Sequence, residues 1–88
     1  MNKYEISYDL MAPGKNYDAL YARLGELGAE RILYSQWVLR TTWNAVQVRD
    51  DLRRFIDAND RLLVAGLTGE AAWTSLLSTN DSFKNKTA

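Results

Sequence analysis

Apolar and polar residues alternate strictly from Lys3 to Leu10. Tyr4, Ile6, Tyr8 and Leu10 fall on one side, and Lys3, Glu5, Ser7 and Asp9 on the other. Period two with aromatic and β-branched residues predicts a strand with one buried face. Pro13-Gly14 breaks it. The period then changes. Tyr17, Leu20, Tyr21, Leu24 and Leu27 follow the i, i+3, i+4, i+7 spacing of an amphipathic helix. Asn16 is placed as its N-cap, Asp18 puts a negative charge in the first turn, and Gly28 fits the stop.

Residues 29–34 and 36–41 read as two further strands, with Ser35 near a weakly marked junction. Asn44 caps a second helix with the apolar stripe Val48, Leu52, Phe55 and Ile56. Its outer face mixes Arg49, Arg53 and Arg54 with Asp50, Asp51 and Asp57, and "DAND" at 57–60 ends it. Arg61 to Leu67 is a strand apolar on both sides, which predicts cover on both faces. Gly69 to Leu77 is expected to form a short helix carrying Trp73, Leu76 and Leu77. From Ser78 onward the chain is polar. The expected organisation is one domain over residues 1–77 and a flexible tail over 78–88.

The order strand, helix, strand, strand, helix, strand is the βαββαβ plan of a ferredoxin-like α+β sandwich. Right-handed crossovers place both helices on one face of a four-stranded antiparallel sheet. The other face is then bare, and a large exposed apolar patch is unusual in a monomer. A two-fold homodimer is the expected cover, with Trp37, Leu63 and Trp73 at the interface. The alternative is a C-terminal segment that folds back over its own sheet. Trp43 reads as core.

Composition narrows the chemistry. With 88 residues, only one domain is expected, with a modest stability margin. There is no cysteine, which removes disulfides and thiolate metal sites. There is no histidine, which removes the usual general base and His-dependent triads. Eleven basic residues balance eleven acidic ones, so nucleic-acid binding must be local if it occurs. No apolar stretch approaches a membrane span, and "MNKYEIS" lacks the apolar core of a signal peptide. A soluble cytoplasmic protein without an organic cofactor is expected.

Asp9 is the one carboxylate placed for chemistry, where the first strand ends on the side away from the helices. Two readings stand. Asp9 caps the turn by bonding local N–H groups. Alternatively, a two-fold axis brings two copies together around magnesium or manganese, which suits oxygen ligands, a phosphodiester and an activated water. Lys15 and Arg40 are candidate phosphate contacts, with Arg31 a third. "DLMAPGKN" is not a phosphate-binding P-loop, because Asp9 and Asn16 replace the required glycine and hydroxyl residue.

The segments "YDL", "LGA", "YSQWVLRT" and "DRLLVAGL" resemble the CRISPR-associated protein two family. The nearer likeness is to a SinR-like branch, with virulence-associated protein D in the wider group. The resemblance covers about residues 3–67. It implies a ferredoxin-like homodimer with facing sheets, Asp9 as metal ligand and catalytic residue, and a C-terminal segment that crosses the dimer. Ser35 falls in the stretch matching the family's Ser-Val-Phe, with Gln36-Trp37 in place of Val-Phe. The basic run that often follows the aspartate is reduced here to Lys15. Three roles follow as expectations: metal-dependent cleavage of RNA or DNA through paired Asp9, a non-catalytic dimeric scaffold for a protein or nucleic acid, and a toxin of a toxin–antitoxin pair.

Overall fold

The computed structural model describes residues 1–12 and 16–77. Its elements run β1 (Asn2–Asp9), α1 (Asp18–Glu26), β2 (Glu30–Leu33), β3 (Gln36–Thr41), α2 (Ala45–Arg53) and β4 (Arg61–Gly66). The strands form one sheet in the order β2-β3-β1-β4, with every neighbouring pair antiparallel. This is the ferredoxin-like α+β arrangement that the sequence pattern predicts. The polar tail at 78–88 and the Pro13-Gly14-Lys15 turn lie outside the described residues.

The alternation in β1 decides the layers. Tyr4, Ile6 and Tyr8 point to the helices, where they join Leu20 and Leu24 of α1 and Val48 and Leu52 of α2. Leu62 and Val64 of β4 pack against the same cluster. Ile6, Leu20, Leu24, Leu39, Val48 and Leu52 are fully buried. Each such side chain contributes about 1.5–3 kcal/mol by leaving water, so this cluster drives the helices onto the sheet.

Both helices end on identifiable chemistry. Asn44 Oδ1 accepts from Gln47 N–H, and Gln47 Oε1 accepts from Asn44 N–H, each at 2.8 Å. This reciprocal pair is a capping box. At the other helix Tyr17 holds the N-cap position without a side-chain cap bond. Asn16 Oδ1 instead accepts from the N–H of Asp18, two residues on. Gly28 has φ +84°, with Gly28 N–H bonded to Gly25 C=O and Ala29 N–H to Leu24 C=O. Those two bonds satisfy carbonyls that the helix end leaves over.

Two further expectations need correction. Residues 69–77 form no helix. Leu67 N–H first extends the β4 pairing by donating to Lys3 C=O. The chain then turns at Gly69 (φ +97°) and crosses to the far edge of the sheet, where Leu77 N–H donates to Ile32 C=O at 2.9 Å. Trp73 and Leu76 on this strap pack over Ile32 and Val38, on the face opposite the helices. Trp73 and Leu76 are better used here against a sheet than on an isolated helical turn, while Leu77 stays exposed.

Trp37 is the second correction. It lies in the helix-side core, 8% exposed, stacked on Tyr21 and hydrogen-bonded to Tyr8. Pairing of Ile6 with Trp37 puts both on the same face, so Trp37 is not on the face predicted to meet a second chain. Trp43 packs against the helix-side cluster, as expected of a core residue.

The opposite face is therefore divided. The strap covers its β2–β3 part. The end carrying Ser7, Asp9, Arg61 and Leu63 stays open, with Leu63 54% exposed. That end of the face is where the sequence places a second chain against Leu63.

Candidate functional site

Asp9 is the last residue of β1, directly opposite Arg61 on β4. The register brings the two charges together: Arg61 Nη1 lies 3.6 Å from Asp9 Oδ2. Both side chains are mostly exposed, 72% for Arg61 and 63% for Asp9. The pair is thus a solvated contact rather than a buried one, and a pair of this kind contributes little to stability. Sequence patterning placed Asp9 correctly but gave no sign of Arg61, because that partner depends on the β1–β4 register.

Two shallow depressions flank Asp9. One, of about 240 Å³, lies on the open sheet face between Ser7, Ser35, Arg61 and Leu63. The other, of about 460 Å³, opens around the sheet end toward Met11, Tyr21, Arg31 and Tyr34. Ser35 reaches both because the β2–β3 hairpin turns at Tyr34-Ser35, beside the end of β1. Tyr8 N–H donates to Ser35 C=O at 3.1 Å and fixes that approach.

A rigid aromatic group supports the second depression. Trp37 Nε1 donates to the Tyr8 hydroxyl at 3.0 Å, and that hydroxyl donates to Tyr34 C=O at 3.3 Å. Burial pushes the Tyr8 pKa up; the Trp37 hydrogen bond and the charge of Arg31 offset part of that rise. Arg31 stacks over Tyr21 at 4.7 Å and approaches Trp37 at 5.6 Å. Its Nε also donates to Tyr34 C=O at 3.0 Å. Arg31 therefore braces the hairpin tip, using the guanidinium for cation–π and main-chain contacts. Tyr34 itself is 79% exposed at the tip.

The remaining candidates are dispersed. Arg40 is exposed on β3 and pairs in register with Lys3, near the opposite end of β1 from Asp9. Lys15 lies outside the described residues. Leu63 shares the open depression with Asp9, whereas Trp73 belongs to the strap. Arg49 is paired with Asp50, and Arg54 with Asp51, which agrees with a charge-balanced helix surface.

Magnesium fits one chain poorly. Among the described residues no three side chains of histidine, cysteine, aspartate or glutamate gather as a metal-binding group. Asp9 supplies one carboxylate, and among the described residues its ion-pair partner is the cation of Arg61. A site of the kind the sequence suggested needs a second chain to complete its ligands.

Sequence reasoning missed Asp60, which it read as part of a helix terminator. Its carboxylate accepts from Met11 N–H at 2.7 Å, Asp57 N–H at 2.7 Å and the Tyr17 hydroxyl at 3.0 Å. It ties the segment after β1 to the α2–β4 turn and so holds the base of the Asp9 site. An Asp in a turn signals local bonding, but nothing near it in sequence signals a partner 49 residues away.

Among the described residues no helix is long and apolar enough to cross a membrane. No protein-family model matches the chain, and no solved structure matches it.

Proposed function

We propose that this protein is a non-catalytic pairing module that uses the open, Asp9-bearing end of its sheet to bind a second copy of itself. The observation that carries the reading is Leu63. It is 54% exposed on the face opposite the helices, while the strap already buries Ile32 and Val38 on the same face. An aliphatic side chain left open beside an ion pair matches a small interface with an apolar centre and a polar rim. The charge pattern supports an identical partner. Asp9 and Arg61 stand side by side, so a two-fold axis nearby lets each acid meet the other chain's base. Such a dimer acts as a scaffold, presenting two exposed Tyr34 tips to a protein or nucleic-acid partner.

Sedimentation equilibrium of wild type and Leu63→Glu tests the reading. A wild-type particle of twice the chain mass, with the variant dissociating at least tenfold more readily, is the expected result. A wild-type chain that stays single at every concentration overturns it.

A second reading rests on the exposure of Asp9 beside Ser7 and Ser35. Together with the resemblance to the CRISPR-associated protein two family, it supports divalent-metal-dependent cleavage of RNA or DNA by a dimer with paired Asp9. Short RNA and DNA substrates with magnesium or manganese provide the check. Cleavage abolished by Asp9→Ala supports this reading; cleavage that persists at the wild-type rate removes Asp9 from it.

A further inference from the structure

The strap does not lie flat on the sheet. Between it and β1, β3 and β2 lies a cleft of about 350 Å³. That volume falls within the range of small-ligand sites. Its inner surface is apolar, formed by Ile32, Val38 and Leu67, and Trp73 forms a wall. Two carboxylates reach it from opposite directions: Glu5 from the sheet and Glu70 from the strap. No lysine or arginine lines it among the described residues. Glu5 accepts a hydrogen bond from Gln36 Nε2 at 3.0 Å, which orients the carboxylate without neutralising it. No ion pair to Glu5 or Glu70 occurs among the described residues.

We infer that this cleft is a binding site for a small organic ammonium with an aromatic or aliphatic body. The chemistry of the lining sets each part of that ligand. A hydrophobic body fits the floor of Ile32, Val38 and Leu67. The indole of Trp73 favours a cation or an aromatic ring beside it. The two carboxylates, with no lysine or arginine on the cleft lining among the described residues, attract positive charge and repel an anion. Gln36, held by Glu5, adds an amide edge to the same rim. The strap is made of short polar and small residues around Trp73, so it can seat a ligand without disturbing the helix-side core. This site is separate from the Asp9 end of the sheet and does not depend on pairing of two chains.

Three probes of similar size decide the matter: phenethylamine, 2-phenylethanol and 3-phenylpropionate. Each is titrated into the ¹⁵N-labelled full chain, and amide and indole N–H shifts are followed. Phenethylamine is expected to bind saturably, shifting Glu5, Gln36 and the Trp73 indole. The neutral and anionic probes are expected to bind at least tenfold more weakly. The double variant Glu5→Gln with Glu70→Gln is expected to lose at least tenfold in phenethylamine affinity while keeping the wild-type spectrum elsewhere. Equal affinity for all three probes by the wild type overturns the inference. So does an absence of saturable shifts at the cleft with millimolar phenethylamine. Both of those results come from the unaltered chain, so they stand even if a variant folds poorly.

Discussion

Arg23 and Asp51 join the two helices by a two-point contact, with Nε 2.8 Å from Oδ2 and Nη2 3.0 Å from Oδ1. Arg54 adds a third bond to Oδ1 of Asp51 at 2.6 Å. The planar fork of arginine matches both carboxylate oxygens and fixes the helices in register across the outer surface. The Arg23 bond, aided by Arg54, holds the Asp51 carboxyl below the usual carboxylate range. A depressed value in the folded state stabilises the fold above the unfolded pKa of about 3.9 and is lost as pH falls through the folded value. Asp51→Asn is therefore expected to lower the melting temperature at neutral pH. The gap from wild type should hold from pH 8 to about 5 and close below about 4. A gap unchanged at pH 3 would assign the loss to packing instead.

The buried contact between Trp37 and Tyr8 makes a second prediction. Tyr8→Phe leaves the indole N–H without its acceptor, at a cost of about 1–3 kcal/mol. Trp37→Phe removes the donor together with part of the stack on Tyr21. The double variant should cost less than the two single losses added together, because the second change removes a group already stranded. Urea unfolding of the four proteins measures this directly, and strict additivity would show that the bond carries no coupling.

Two glycines should respond to alanine with opposite signs. Gly28 sits at φ +84°, and an added Cβ there meets nothing within 4 Å. Its substitution is penalised by backbone strain alone, about 1–2 kcal/mol. Gly25 lies inside α1, also with open space around a new Cβ. Gly25→Ala should stabilise by about 0.5–1 kcal/mol, since alanine fixes helical dihedrals at lower entropic cost. Asn44→Ala, which removes the helix-capping oxygen of α2, should cost about 1 kcal/mol. Chemical denaturation of each single variant tests the three signs.

These positions also show what kind of information the chain exposes in one dimension. Gly28, Asn44 and the alternating Tyr4, Ile6 and Tyr8 act within a turn or along one strand, so their spacing is enough to place them. Trp37 is different. Period two gives a strand two faces without saying which one meets the helices, and a register shift between Arg31 and Leu33 makes the hairpin hard to phase. The strap differs from the expected helix because what positions Trp73 and Leu76 is the far face of the sheet at Ile32 and Val38, which they help to bury, and no local spacing signals that contact. For the Asp9 site, the aspartate and Ser35 were visible in sequence. Arg61 and Asp60 were not, since each meets its partner only after β4 has paired with β1.

Asp60 offers the most direct test of how the base of that site is held. Its carboxylate accepts two backbone N–H groups and the Tyr17 hydroxyl. A hydrogen bond of this kind contributes about 0.5–1.5 kcal/mol net, so Asp60→Ala should destabilise by at least that much, and Asp60→Asn by less. Tyr17 adds a pH signature. Burial pushes its pKa up, and donation to Asp60 raises it further. A tyrosine raised in the folded state contributes its stability below the unfolded value of about 10 and loses it as pH rises through the folded value. Ultraviolet titration should accordingly show Tyr17 ionising late, together with Tyr8, whose pKa is also raised. Asp60→Ala should move one of those two late transitions back toward the ordinary tyrosine range and leave the other in place. If both stay late, Tyr17 draws its shift from burial alone, and the Asp60 bond is too weak to anchor the loop beneath Asp9.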